Sequence, residues 1–252
     1  ESVTGAVRMT LRPGDVTFID VEMTLFARQN MDHYGIGGAL GTFLSGPQNR
    51  RSLDDVRPAV HEVSGLQMLT GANEWIYRPL NNPTTLQVSS FMDSNPRGFG
   101  LVQRDRDYAA FQDDEQRFEA RPSVWVQPLG EWGEGSVQLI EIPSESEVND
   151  NIIAYWRPKL PVAAGSEISF AYRQAWCWYP PEHLPLASVT RIRQGRGSQG
   201  RRRRYYVDFS GEQLADMSIM TAAQAIISAT PGSIQNLRLW PYPERKTMRV
   251  AF

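Results

Sequence analysis

Apolar and polar residues alternate in short runs along most of this chain, and glycine, proline or asparagine closes nearly every run. Ile19, Val21, Met23 and Leu25 interleave with Asp20, Glu22 and Thr24. Successive side chains of a strand point to opposite faces, so this alternation marks a half-buried β-strand. Similar runs recur at 86–92, 99–103, 123–127, 136–142, 152–156 and 167–173. Between them stand Asn95-Pro96-Arg97-Gly98 and Trp132-Gly133-Glu134-Gly135, residue types that turn a chain or stop a ladder. Helical spacing is scarce. Residues 107–118 read as a short helix or a long turn, and 217–228 are helix-permissive by propensity alone. The pattern predicts an all-β chain built as a sandwich, with no repeat of roughly 20–50 residues.

Several chemistries drop out early. The chain has 252 residues, 41% of them hydrophobic, which suits a packed core rather than disorder. No run approaches the roughly 18 consecutive apolar residues of a membrane-crossing helix. Cys177 is the only cysteine, so neither an internal disulfide nor a thiolate metal site is expected. His33, His61 and His183 lie far apart, outside the spacing of a zinc hydrolase. Gly35-Ile36-Gly37-Gly38 matches neither a dinucleotide nor a phosphate loop. We therefore expect no metal and no cofactor. The chain opens at Glu1 and closes inside a strand-like run, 247–252, and reads as a piece of a longer protein.

Composition shifts near 178–185, where three prolines fall within six residues and suit a stiff linker. Residues 1–185 carry 15 basic and 24 acidic side chains; residues 186–252 carry 11 and 4. This predicts two domains, 1–183 and a smaller β domain over 184–252. The basic part includes Arg201–Arg204 followed by Tyr205 and Tyr206, a combination that can bind single-stranded nucleic acid. The run nevertheless joins two strand-like segments, 188–193 and 203–209, through a glycine-rich stretch. We read it as a hairpin with solvated charges, and expect no nucleic-acid partner.

Residues 57–158 hold the densest chemistry. Trp75, Trp125, Trp132 and Trp156 are interleaved with carboxylates and with Arg78, Arg104 and Arg106. Indole faces stack on the apolar faces of sugar rings, while carboxylate and guanidinium groups take the hydroxyls. Trp75, Trp125 and Trp132 are the candidate stacking residues, and Arg78, Arg104 and Asp105 the candidate hydroxyl contacts. Strand tryptophans also serve as core, and Arg104-Asp105-Arg106-Asp107 also suits a surface ion-pair ladder. Hydrolysis of a glycosidic bond needs one carboxylic acid for the leaving oxygen and one carboxylate to activate water. Asp150 sits between polar Asn149 and Asn151 and the apolar run 152–156. It reads either as that acid or as the acceptor of an Asx turn.

Three stretches carry a resemblance: NEWIYRPLNNP, SSFMDSNPRGFGLVQRDRDYAAFQDDEQRFEARPSVWVQP and WGEGSVQLIEIPSESEVNDNIIAYWRP. They resemble the periplasmic glucan biosynthesis proteins of the MdoG/OpgG family. The resemblance runs over nearly the whole chain and is strongest across 55–175. It implies the rear part of a large carbohydrate-binding β-sandwich, then an incomplete immunoglobulin-like sandwich. It also implies a Gram-negative periplasmic protein that makes osmoregulated glucans with a β-1,2-linked backbone, and an inner-membrane glucan synthase as partner. The general acid of hydrolytic members matches Asp150. Their general base, an Asp after the His of an RPxVH motif, falls on Glu62, and their relay Tyr falls on Phe118. Glu62 adds a methylene, and Phe118 has no hydroxyl to pass a proton. The resemblance thus implies binding and processing of β-1,2-glucan, as a glucanase or a transglycosylase. The alternative is a non-catalytic glucan-binding or scaffold protein.

Overall fold

The structure, a computed structural model, describes residues 2–47, 55–181, 186–197 and 202–252. The chain divides into two compact units, Glu1–Gly46 with Leu53–Pro181, and Pro47–Ser52 with Glu182–Phe252. The first holds β1 (Val3–Arg12), β2 (Thr17–Ala27), β3 (Ile36–Gly41), β4 (Phe43–Ser45), β5 (Val60–His61), β6 (Gly65–Leu69) and β7 (Trp75–Pro79). It continues through β8 (Gln87–Ser94), β9 (Gly98–Val102), β10 (Ser123–Pro128), β11 (Glu134–Glu141), β12 (Ile152–Pro158) and β13 (Glu167–Cys177).

Seven of these strands pair in the order β1-β2-β13-β10-β9-β6-β7, and four more as β3-β12-β11-β8. The pairings within both sheets are antiparallel. One apolar cluster joins their facing sides: Val21, Leu66, Phe99, Leu101, Val124 and Val126 from the larger sheet, Val137, Leu139, Ile152 and Trp156 from the smaller. Two sheets closed on one shared core make an all-β sandwich. The predicted alternation is visible in β2, where Val21 is buried in this core and Ile19 and Met23 pack against it.

The punctuation residues meet in space. Asn95, with φ of 53°, turns the chain from β8 in one sheet to β9 in the other. Its side-chain oxygen accepts from the Gly133 N–H at 2.7 Å, and its own N–H donates to the Gly133 carbonyl at 2.8 Å. The two turns named in the sequence therefore lock each other. Residues 107–118 resolve as a turn: single 3-10 turns occupy Tyr108–Ala110 and Phe118–Ala120.

The second unit holds β14 (Ser188–Arg196), β15 (Arg203–Ser210), a short helix α1 (Met217–Ala222), β16 (Arg238–Tyr242) and β17 (Thr247–Ala251). Its strands form one antiparallel sheet, β14-β15-β17-β16. Among the described residues this is one layer, where an immunoglobulin-like sandwich has two. The helix-permissive stretch 217–228 forms only the six-residue α1. Arg196 pairs with Arg203 across β14 and β15, so the basic run does sit at a hairpin; Arg201 and His183 lie outside the described residues. Arg193 and Arg249 are held by the buried Asp208 at 3.3 Å and 2.6 Å.

Candidate functional site

The short pair β4–β5 brings the two candidate carboxylates together. Glu62 follows β5 directly, and its N–H donates to the carbonyl of Thr42, just before β4, at 2.9 Å. The hydroxyl of the same Thr42 reaches Asp150 Oδ1 at 3.5 Å, with the carbonyls of Glu147 and Asn149 at 3.5 Å and 3.4 Å. Thr42 is buried. One threonine thus braces the Glu62 segment with its backbone and the Asp150 loop with its side chain.

Asp150 itself is exposed, although its neighbour Asn151 is 1% exposed. Asn151 Oδ1 accepts from the Phe43 N–H at 2.8 Å, and its amide donates to the carbonyls of Phe43 and Ile142 at 3.0 Å each. The side chain imitates a strand partner for Phe43 and sets Asp150 at the rim one residue earlier. Asn151→Ala is expected to lower stability by about 2–3 kcal/mol, because it strands a buried N–H and two carbonyls. The midpoint of urea unfolding measures it.

Glu62 is half-buried, and burial first of all pushes its carboxyl above the ordinary range. The guanidinium of Arg121, 3.7 Å away, opposes this; the charge of Asp150 adds to it, and a backbone hydrogen bond from Thr42 opposes it. A carboxyl with raised proton affinity between a cation and a second carboxylate has the electrostatics of an acid–base group. Thr42 and Arg121 escaped the sequence reading. Neither residue type carries a signal without the β4–β5 pairing.

His61 is no part of that chemistry. Its ring stacks on Phe43 at 5.3 Å and meets the edge of Phe111 at 4.9 Å. Burial drops its pKa to about 3, so it is neutral at ordinary pH. Nδ1 lies 3.2 Å from the amide nitrogen of Gln103. Phe118 is 2% exposed and packs with Leu44, Ala59, Val60 and Phe111. That apolar cluster is the opposite of the polar, roomy setting a relay water requires.

The candidate sugar contacts scatter. Trp125 is 1% exposed and Trp132 6%, and both are core side chains. Trp125 lies on the outer side of the larger sheet, stacked on Trp75 at 5.7 Å. Gly98 makes room for it: a Cβ there would stand 2.3 Å from the indole. Trp132 is packed against Trp156, Phe170 and Tyr172 between the sheets. Both rings are covered by protein side chains in this arrangement. Trp75 is half-exposed. Arg78 donates to the buried Glu141 at 2.8 Å. The Arg104 guanidinium carbon lies over Tyr77, 3.3 Å from the ring centre, and Nη2 reaches Gln67 Oε1 at 3.3 Å. Asp105 is half-exposed beside them, and its charge helps to raise the Tyr77 phenol, whose main cause is burial.

The whole chain, residues 1–252, matches the family model described as periplasmic glucan biosynthesis protein, MdoG. It is 43% identical to the glucans biosynthesis protein G of Shewanella baltica over 256 residues, covering all of this chain and 46% of that protein. Against the protein of the same name from Bradyrhizobium diazoefficiens it is 44% identical over 253 residues, covering all of this chain and 50% of the relative. The Vibrio cholerae protein is 42% identical over 256 residues, with 46% of its length covered. The chain spans about half the length of the curated relatives it matches.

Proposed function

This chain belongs to the MdoG family of periplasmic glucan biosynthesis proteins, and from that premise we propose that its first unit binds β-1,2-linked glucan and acts on it through Asp150. The family's description puts its members in the periplasm. The observation that carries the catalytic part is the bracing of Asp150 and Glu62 on the two sides of Thr42.

In this reading Asp150 gives its proton to the glycosidic oxygen as the bond to the anomeric carbon breaks. Glu62 takes a proton from the attacking hydroxyl, which belongs to water in hydrolysis or to a second sugar in transglycosylation. Burial, the foremost cause, raises the proton affinity of Glu62, the direction a general base needs. Arg121 keeps that carboxyl ionisable. Trp75, Arg104 and Asp105, all partly exposed, remain candidate contacts to the chain of sugars. The inner-membrane glucan synthase is the proposed partner that supplies the polymer.

One observation favours a second reading, a glucan-binding protein that does not cut. Phe118 fills the relay position with a ring buried among apolar side chains, so the route from water to base lacks its link. The full-length protein incubated with linear β-1,2-glucan separates the readings. New reducing ends mean hydrolysis, and altered chain masses without new ends mean transglycosylation. Unchanged glucan that still binds by calorimetry leaves the scaffold reading. Unchanged glucan without binding removes both.

A further inference from the structure

Arg57, the arginine of RPAVHE, stands five residues before Glu62 and holds three carboxylates at once. Its Nη1 donates to Asp113 Oδ2 at 2.7 Å and its Nη2 to Glu147 Oε2 at 2.6 Å. Nε and Nη2 take the two oxygens of Asp55 at 3.0 Å and 2.8 Å. The guanidinium carbon lies 6.0 Å from the centre of the Phe118 ring. Each acid belongs to a different part of the site. Glu147 sits three residues before Asp150, and its carbonyl is one of the acceptors in reach of the Thr42 hydroxyl. Asp113 also accepts from the N–H groups of Glu115 and Gln116 at 2.9 Å and 2.8 Å, closing the turn that leads to Phe118. Asp55 opens the segment that ends at Glu62.

One cation needs one anion for neutrality; here three converge on a side chain that is 20% exposed. Their mutual repulsion is tolerated only while the fork stays in place. The guanidinium holds Asp55 below the usual carboxylate range; Asp113 is held below it, against burial, by the Gln116 N–H first and then by the guanidinium. Lysine presents a point charge and cannot reproduce the planar, multidentate fork.

We propose that Arg57 is a positioning residue for the glucan-processing carboxylates. It ties the Asp150 loop and the Phe118 turn to the segment that carries Glu62. The proposal rests on the reading that Asp150 and Glu62 act on glucan, and its test separates the two.

The test uses the full-length protein with Arg57→Gln and Arg57→Lys, and Arg173→Gln as an ion-pair control on β13. The carboxyl titration of Glu62 is followed by NMR in the free protein. Loss of a cation alone drives a nearby carboxyl up. Release of the Asp150 loop does the reverse, because the charge of Asp150 helps to hold Glu62 high. The expected result is a downward shift in Arg57→Gln, a smaller one in Arg57→Lys, and none in the control. With glucan as substrate, kcat falls about tenfold or more while KM changes little. An unmoved or rising Glu62 titration in both folded variants overturns the proposal and leaves Arg57 a structural tie. If Arg57→Gln does not fold, Arg57→Lys decides by the same sign. If the native protein leaves glucan untouched, the catalytic reading fails while the titration still decides the positioning.

Discussion

Asp150→Asn is expected to cut turnover of β-1,2-glucan by about a thousandfold, the loss that follows removal of a positioned general acid. Folding should barely register the change. Asp150 is exposed and its side chain accepts from Thr42 at 3.5 Å, a bond the amide oxygen of asparagine can still accept. Stability is therefore expected to stay within about 0.5 kcal/mol of the native value, and glucan affinity by calorimetry should be unchanged. The substitution also removes the negative charge that helps hold Glu62 high, so the Glu62 titration should move down toward the ordinary carboxyl range while remaining raised by burial. That second readout ties the loss of turnover to the pair rather than to one residue. Undiminished cleavage by Asp150→Asn would assign the acid to another group. Lost cleavage with lost binding would make Asp150 a sugar contact instead.

The two halves of this site differ in how far the sequence announces them. Strands such as β2 and β12 are legible because one side of each faces a core, so burial imposes alternation on the residues. The pair β4–β5 is not, since strands of three and two residues are too short to show a period. β6 is a nearly continuous buried run and carries no alternation either. Trp125 shows how much of a residue's setting lies across strands. Read along the chain it is an aromatic among polar groups, the composition of a sugar platform. Its real surroundings come from across the strands: Gly100 is its partner in register, Gly98 leaves space for the indole, and Trp75 covers the ring. None of this is adjacent in sequence. Asp150, by contrast, shows locally as a candidate acid or turn acceptor, but Glu62 and its pairing with Asp150 entered through a family resemblance, and no local pattern pairs residues so far apart. What binds them, Thr42 and the Arg57 clamp, acts through tertiary contacts that leave no periodic trace.

Arg78→Met should be among the most destabilising single changes in the first unit, at about 3–5 kcal/mol near neutral pH. The carboxylate of Glu141 is 0% exposed and receives Arg78 at 2.8 Å and the Asn81 N–H at 2.6 Å. Burial pushes its pKa up, and the charge of Arg78 is foremost in opposing this. Methionine keeps much of the stem and removes the charge, leaving a buried carboxylate with one amide donor. The pair also joins β7, at the edge of the larger sheet, to the end of β11 in the smaller, beside the loop that leads to Asp150.

The pH dependence follows from the sign. A carboxyl whose pKa is higher folded than unfolded favours folding most below the unfolded value, 4.5 for a glutamate. That contribution is lost as pH rises through the folded pKa. Removing Arg78 raises the folded pKa further, so the deficit of Arg78→Met should be largest at neutral pH and shrink on acidification, as Glu141 takes up a proton and no longer needs a cation. Adding Glu141→Leu should recover most of the loss, because a buried ion pair replaced as a unit is close to neutral. Urea unfolding across pH reads all three proteins. The sequence expectation of Arg78 as a sugar contact makes the opposite forecast, native stability with weakened glucan binding. Under that outcome the Glu141 pair would be incidental and the guanidinium would belong to the substrate.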